Sequence, residues 1–437
     1  QIDYHRHVYR TYGKIAAFAQ GSSKVLIYGP EYNRHVLSQP DVFHAGGVPL
    51  PGSSDSVLYR LATGLPTMNG DLHRRQRRLL QPAFHRQQVE TYRDTMVAIT
   101  QHFLDRWPIG HVLDIVNEMH QITLCVASET LYGVDARAAA DTLGHLMARW
   151  IGLNANWTVH MFPVDAPGTP FRRLLRLSED LEAHIRAIIQ RKRAHLSEQQ
   201  DALALLLQAQ DDDGTRLTEA ELIGHANVLF FTGFETTAVA LTWTLFLLVQ
   251  HPRIMADLLD ELTSTLHGDA PTLAQIHNLP LLDHTIKESL RILPPAIQGG
   301  RTAMQPFAMG GYEFPAGTKV MYSEYMTHHM PDLYPEPEKF SPERWRDLEP
   351  APYAYIPFLV GARRCLGAEF ALLEMKIVLS LILQRYRLTM APHTRVDRQV
   401  RFMLVPKPGM PMRVVAQDRQ FTKVPVRGNI HETVDLS

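Results

Sequence analysis

Between about residues 70 and 295 the apolar positions recur with the period a helix needs to keep one face dry. The spacing predicts helices over 71–80, 87–107, 112–132, 137–151, 172–195, 218–249, 253–265 and 281–293. After 295 the texture changes: proline- and glycine-rich segments alternate with short apolar runs such as Thr318–Tyr322, which read as small strands and turns. A further helix over 367–385 is apolar nearly all round, the pattern of a helix buried among others. No repeat or low-complexity linker interrupts the chain. The expected fold is therefore mainly α with a small β portion, a single domain over 1–417 followed by a surface tail, 418–437, that shows no amphipathic pattern.

The stretch 218–249 sets the architecture. Thr218 and Glu221 form a capping box at its start. A helix of this length, at about 1.5 Å per residue, runs about 48 Å. Its apolar half invites a membrane reading, but Glu235 near the centre would cost about 2.5–3.5 kcal/mol to insert. His225 and Asn227 lie nearby and flanking basic clusters are missing, so a core helix is expected. Inside it lies Thr232-Gly233-Phe234-Glu235-Thr236-Thr237. An interior glycine costs about 1 kcal/mol, and threonine hydroxyls divert carbonyls one turn back, Thr236 toward position 232. A bend with a pocket beside it is predicted there; the alternative is that Gly233 only permits close packing. Glu235 next to Thr236 supplies an acid and an alcohol, the parts of a proton relay.

A second concentration of chemistry is Phe358-Leu359-Val360-Gly361-Ala362-Arg363-Arg364-Cys365-Leu366-Gly367. Thiolate is the metal-binding form of cysteine, and a helix N-terminus beside arginine lowers a thiol's pKa. Gly361 and Gly367 let backbone approach something large and flat without Cβ clashes. A lone cysteine is more often a small buried hydrophobe. The ten residues together, however, resemble the haem-binding loop of the cytochrome P-450 family, in which a cysteine thiolate holds the iron. The resemblance implies a long central helix over haem b, with Cys365 as metal ligand and Phe358, Gly361, Gly367 and Gly233 against the cofactor. It also implies that Glu235 and Thr236 serve oxygen activation; Thr232 stands where the family usually has alanine or glycine.

Three more motifs follow the family's order. Glu288-Ser289-Leu290-Arg291 alone is a common exposed pair worth about 0.2–0.5 kcal/mol. The stretch Tyr334–Trp345, matching the family's meander, implies that Arg344 joins Glu288 and Arg291 in a buried structural triad. The run His73-Arg74-Arg75-Gln76-Arg77-Arg78 reads first as a solvated face. His73 and Arg77 share one side of a helix and resemble propionate-binding positions, with Arg301 and Arg363 as further partners through bidentate forks. Arg74, Arg75 and Arg78, with Arg364 and Lys376, predict a positive rim for a ferredoxin- or flavodoxin-type electron donor.

Substrate-facing positions implied by the family's layout are the loop Val48–Leu65, Ala226, Phe230, Thr232, the strip Ala296-Ile297-Gln298 and the turn Phe402-Met403-Leu404, with Trp150, Trp157, Met161 and Phe162 at an entrance. They are mostly apolar and suit a lipophilic substrate: terpenoid, steroid-like or fatty acid. Pro167–Phe171 resembles family members acting on isoprenoid-like lipids.

Composition sharpens this. The 437 residues carry a net charge of −1, so no global field draws in nucleic acid. Two cysteines, Cys125 and Cys365, exclude a disulfide framework and suit a reducing compartment. The first thirty residues hold no apolar run long enough for an anchor or signal peptide, so a cytoplasmic monomer is expected. The resemblance implies a haem-thiolate monooxygenase that hydroxylates or epoxidises with two electrons from NAD(P)H through a separate partner. A peroxide-driven peroxygenase and a non-enzymatic haem sensor or electron carrier are the alternatives.

Overall fold

The computed structural model describes the chain except residues 18–23, 47–52, 54, 135–139, 155–158, 160, 195 and 197–199. Helices dominate, with a small β portion. The pattern predicts one domain over 1–417; the described chain instead forms two compact units. The first comprises Gln1–His44, Met96–Ile122 and Thr236–Ser437, the second Ala45–Thr95 and Thr123–Glu235.

In the first unit a five-stranded sheet gathers distant segments in the order Ile15–Ala17, Lys24–Ile27, Lys319–Tyr322, Gly299–Ala303, Phe43–Ala45. Lys24–Ile27 runs parallel to Lys319–Tyr322, and Gly299–Ala303 antiparallel to it. Val25, Ile27, Phe43, Val320 and Tyr322 form a buried cluster that also contains Ile356, at the foot of the cysteine loop. Phe43 meets Phe307 edge-on and Phe307 stacks on Phe314, with centroids 5.0 Å apart in both pairs.

Most predicted helices are present within a residue or three, among them Gly70–Leu80, Pro170–Ala194, Pro280–Ile292 and Ala368–Arg385. The helix expected over 87–107 is two, Arg86–Glu90 and Arg93–Leu104. That over 112–132 opens as a strand, Val112–Asp114, ahead of the helix Ile115–Tyr132. The strand pairs antiparallel with Pro411–Ala416, and this long-range ladder overrides the local period.

The long helix, Glu219–Gln250, starts as predicted: Glu221 N–H donates to Thr218 Oγ1 at 3.3 Å, and Thr218 N–H donates to Glu221 Oε2 at 2.7 Å. The helix runs unbroken through Gly233. Thr232 Oγ1 donates to the Val228 carbonyl at 2.8 Å without opening the helix. A Cβ on Gly233 would lie 3.3 Å from Leu131 Cδ1, the close-packing role. Although this helix is long and apolar enough to cross a membrane, 78% of its most apolar window is buried, as in a core helix.

The surface tail is also corrected. Ile430 and Val434 are fully buried and Val426 and Leu436 nearly so, on the first unit. Asp435 N–H donates to Glu338 O at 2.8 Å, and Gln250 Nε2 to Val424 O at 3.1 Å. Arg398 joins Asp3 and Glu432. The anchors are isolated apolar residues spaced along irregular backbone, which give no periodic signal.

Candidate active site

The predicted site residues fall into two sets, one in each unit.

In the first unit, the helix Pro280–Ile292 begins with proline, and its exposed amides at Leu281 and Leu282 are capped from outside by Glu261 at 2.7 and 2.9 Å. Its last turn carries Glu288 and Arg291, both 0% exposed. Arg291 grips Glu288 through two hydrogen bonds of 2.9 Å. Arg344 Nε, Trp345 Nε1 and the Ser341 amide donate to the same carboxylate at 2.9, 2.9 and 3.1 Å. The triad Glu288–Arg291–Arg344 thus exists, with Trp345 as a fourth member that the sequence motif contained without marking. Arg291 also donates to the carbonyls of His328 and Pro337 at 2.9 and 2.8 Å, pinning the meander.

The cysteine loop leaves this network. Leu359 and Gly361 take positive φ of 54° and 65°. Cys365 N–H donates to Phe358 O at 2.7 Å, and Arg364 N–H to Gly361 O at 3.0 Å. The turn ends at Gly367, the cap of the helix Ala368–Arg385, leaving Cys365 exposed at its N-terminal end. The guanidinium of Arg301, 9% exposed, lies 5.4 Å over the Tyr322 ring. Burial pushes the Tyr322 hydroxyl's pKa well up, opposed by the charges of Arg301 and Arg363, so the two predicted propionate partners act at one place.

A haem asks for a thiol that can lose its proton, cations for its carboxylates, and backbone without Cβ where the ring lies. Cys365, Arg301 with Arg363, and Gly367 meet these demands; no atom lies within 4 Å of where a Gly367 Cβ would stand. The donor set fits the group. Glu324, which sequence reasoning missed, contributes to that fit. Its carboxyl is 4% exposed and is pushed up to about 8 by burial, against the pull of Arg301. Carrying a proton near neutrality, it does not spend Arg301's charge, which stays available to a cofactor carboxylate. The raised value favours the folded state below the ordinary carboxyl value of 4.5, and that contribution is lost as pH rises through about 8. Melting curves between about pH 5 and pH 9 are therefore expected to show a decline in the parent that Glu324→Gln flattens, with the variant the more stable at the alkaline end. Parallel curves would show that Glu324 ionises normally.

In the same unit the amide of Leu404 donates to Pro295 O at 2.9 Å and Trp243 Nε1 donates to Leu404 O at 2.8 Å, bringing two predicted substrate-facing segments together. Ala296 is exposed there, whereas Ile297 and Met403 are buried. Thr236 is half-buried on the long helix.

In the second unit His73 is buried and Arg77 half-buried, on one face of Gly70–Leu80. Between them in sequence, Gln76 donates to Glu221 and accepts from His225 Nε2 at 2.8 Å. His225, 1% exposed, is pulled down to about 4 by burial and stays neutral. This unmarked network ties the basic helix to the long one. Gly233 and Glu235 are half-buried and Thr232 exposed. Phe230 is fully buried, edge-on to Tyr132 at 5.2 Å, and Ala226 O accepts from the Tyr132 hydroxyl. Both expected pocket positions are buried. Trp150 is likewise buried, donating to Ser178 Oγ at 2.9 Å, while Met161 and Phe162 are exposed. Trp157 and most of the loop 48–54 lie outside the described residues.

The cations of the predicted positive rim all have carboxylate neighbours. Arg74 pairs with Asp71, Arg75 and Arg78 share Asp211, Arg75 also approaches Glu221, Arg364 pairs with Glu369 and Lys376 with Asp283. Asp211 serves both Arg75 and Arg78, and Asp283 serves Lys287 as well as Lys376, so cations outnumber their carboxylate partners at both places.

Fold and site together fit a mainly helical haem enzyme. The chain belongs to the Cytochrome P450 family, whose sequence pattern matches residues 2–412, and it is a P450 monooxygenase. It is 32% identical over 396 residues to cyclooctat-9-en-7-ol 5-monooxygenase of Streptomyces melanosporofaciens, covering 88% of this chain and 84% of the relative. It is 32% identical over 378 residues to pentalenene oxygenase of Streptomyces avermitilis, covering 84% and 82%. Retinoic acid bound cyanobacterial CYP120A1 superposes with a TM-score of 0.84 at 28% identity, covering 95% of this chain and 94% of that one.

Proposed function

We propose that this enzyme hydroxylates or epoxidises a lipophilic substrate of the terpenoid class, using two electrons from NAD(P)H delivered by a separate ferredoxin- or flavodoxin-type donor. The observation that carries the reading is the Cys365 loop: a thiol at a helix N-terminus, its amide bonded to Phe358 O at 2.7 Å, in the unit that also holds Arg301 and Arg363. Relatives named for cyclooctat-9-en-7-ol and pentalenene, and a solved neighbour holding retinoic acid, support an unsaturated carbon skeleton with few polar groups. A cytoplasmic place fits the burial of the one long apolar helix among the described residues.

Haem b, when bound, supplies the activation of O2. The chain supplies the rest. Cys365 would hold the metal as thiolate, a state favoured by the helix N-terminus and the neighbouring Arg364. Arg301 and Arg363 would take the carboxylates. Glu235 carries protons inward and Thr236 hands them on at its hydroxyl oxygen. The strip 296–298, with Ala296 exposed, and the turn 402–404 are the segments set to meet the substrate. The adjacent acid and alcohol favour this reading over a peroxide-driven one, which needs no proton relay.

Cys365→Ser tests it. The ferrous carbonyl complex of the parent is expected to show thiolate-type absorption and the variant to lose it, together with turnover of a terpenoid probe. Retention of that absorption in the variant would move the ligand to Cys125, the only other cysteine.

A further inference from the structure

The segment leading into the cysteine loop is held at successive residues by side chains of the first unit. Asn33 Nδ2 donates to Tyr353 O at 3.2 Å, the Tyr334 hydroxyl to Ala354 O at 3.2 Å, and the Tyr355 hydroxyl to Lys287 O at 3.0 Å. The last contact before the loop is of a different kind. The Ile356 amide donates to the ring Nε2 of His328 at 2.9 Å, both residues being buried.

That contact sets the imidazole's state. A nitrogen that accepts from a backbone N–H carries no proton, so His328 is neutral with its proton on Nδ1. The surroundings agree: burial and the nearby Arg291 charge pull the ring's pKa down to about 3. His328 is itself held from behind, its carbonyl accepting from Arg291 Nη1 at 2.9 Å, and its ring lies 5.4 Å from that of Tyr355. Downstream, Ile356 O accepts from Leu359 N–H at 3.0 Å, where the backbone turns to positive φ, and Phe358 O then receives the Cys365 amide. A continuous chain of bonds therefore runs from Glu288 through Arg291 and His328 to the loop that presents the sulfur.

We propose that His328 is the positioning residue of the cysteine loop, the joint through which the buried carboxylate–arginine network sets the backbone that presents Cys365. The claim rests on the assignment of Cys365 as haem ligand. It adds that an acceptor at the Nε2 position, and not merely a ring filling the space, sets how firmly the sulfur is presented.

The test compares His328→Phe, which keeps an aromatic ring and removes the acceptor, with His328→Gln, whose side-chain oxygen reaches about the same place as Nε2. Ile430→Ala, in the anchored tail, serves as a control for general loss of stability. The readouts are the absorption of the ferrous carbonyl complex, the rate of haem transfer to apomyoglobin and the ferric/ferrous potential. His328→Phe is expected to raise the neutral-thiol fraction and the haem-loss rate several-fold and to shift the potential, with His328→Gln restoring most of each. Equal behaviour of Phe and Gln, or a matching change in Ile430→Ala, would overturn the proposal. Nitrogen-15 spectra of the parent carbonyl complex test it without any variant: His328 Nε2 must be unprotonated and coupled through the hydrogen bond to the Ile356 nitrogen. A protonated Nε2 would refute it even if His328→Phe failed to fold. A parent lacking thiolate-type absorption would instead refute the ligand assignment, so the two failures are distinct.

Discussion

Glu288→Gln is expected to abolish stable haem retention and to lower the melting temperature sharply. One carboxylate, 0% exposed, accepts from Arg291 twice, from Arg344, from Trp345 and from the Ser341 amide. Glutamine matches the shape but has no charge, and half of its acceptor capacity becomes an NH2 group that would face guanidinium donors. Arg291 would stay buried with no counter-charge, a change that costs about 3–5 kcal/mol. A loss of that size is a large fraction of the about 5–15 kcal/mol by which a domain is stable. It falls on the meander and, through His328, on the cysteine loop. Haem content of the purified variant and a thermal melt are the measurements. Full occupancy with an unshifted melt would reduce the triad to an ornament.

Thr236→Ala is expected to separate consumption of reductant from formation of product. Proton delivery by a positioned group contributes typically about 10²–10⁴-fold, and the alcohol next to Glu235 is the shortest route the sequence offers. The variant should still bind haem, since Thr236 lies outside the loop and the arginine network. Reductant should be consumed while peroxide accumulates in place of product, and Thr236→Ser should recover coupling because it restores the hydroxyl. The measured quantity is product formed per NAD(P)H oxidised. An unchanged ratio in the alanine variant would take the relay away from Thr236.

Local pattern carried far in this chain where the physics is local. The capping box at Thr218 and Glu221 and the helical period located the long helix almost to the residue, because both depend on neighbours three or four positions apart. The same period misread Val112–Asp114, whose strand state depends on pairing with Pro411–Ala416. It overlooked the tail, held by isolated buried residues such as Ile430. The glycine and threonines near 233 lie inside one continuous helix, where a Cβ on Gly233 would come 3.3 Å from Leu131 Cδ1. The carboxylates beside Arg75 and Arg78, Asp211 and Glu221, were not legible because they lie far along the chain.

Residue type and short spacing were enough to determine the chemistry on offer: a thiol at a helix start, an acid beside an alcohol, and a carboxylate with an arginine one turn on. Those properties travel with the side chains and their immediate neighbours. Only the tertiary structure decided that Glu324 keeps its proton, that His328 is a neutral acceptor for Ile356, that Phe230 is buried against Tyr132, and that Arg75 and Arg78 share Asp211. Each of these depends on burial and on partners brought from distant segments, and the free energy of a charge or a polar group is set by what surrounds it rather than by what precedes it in the chain.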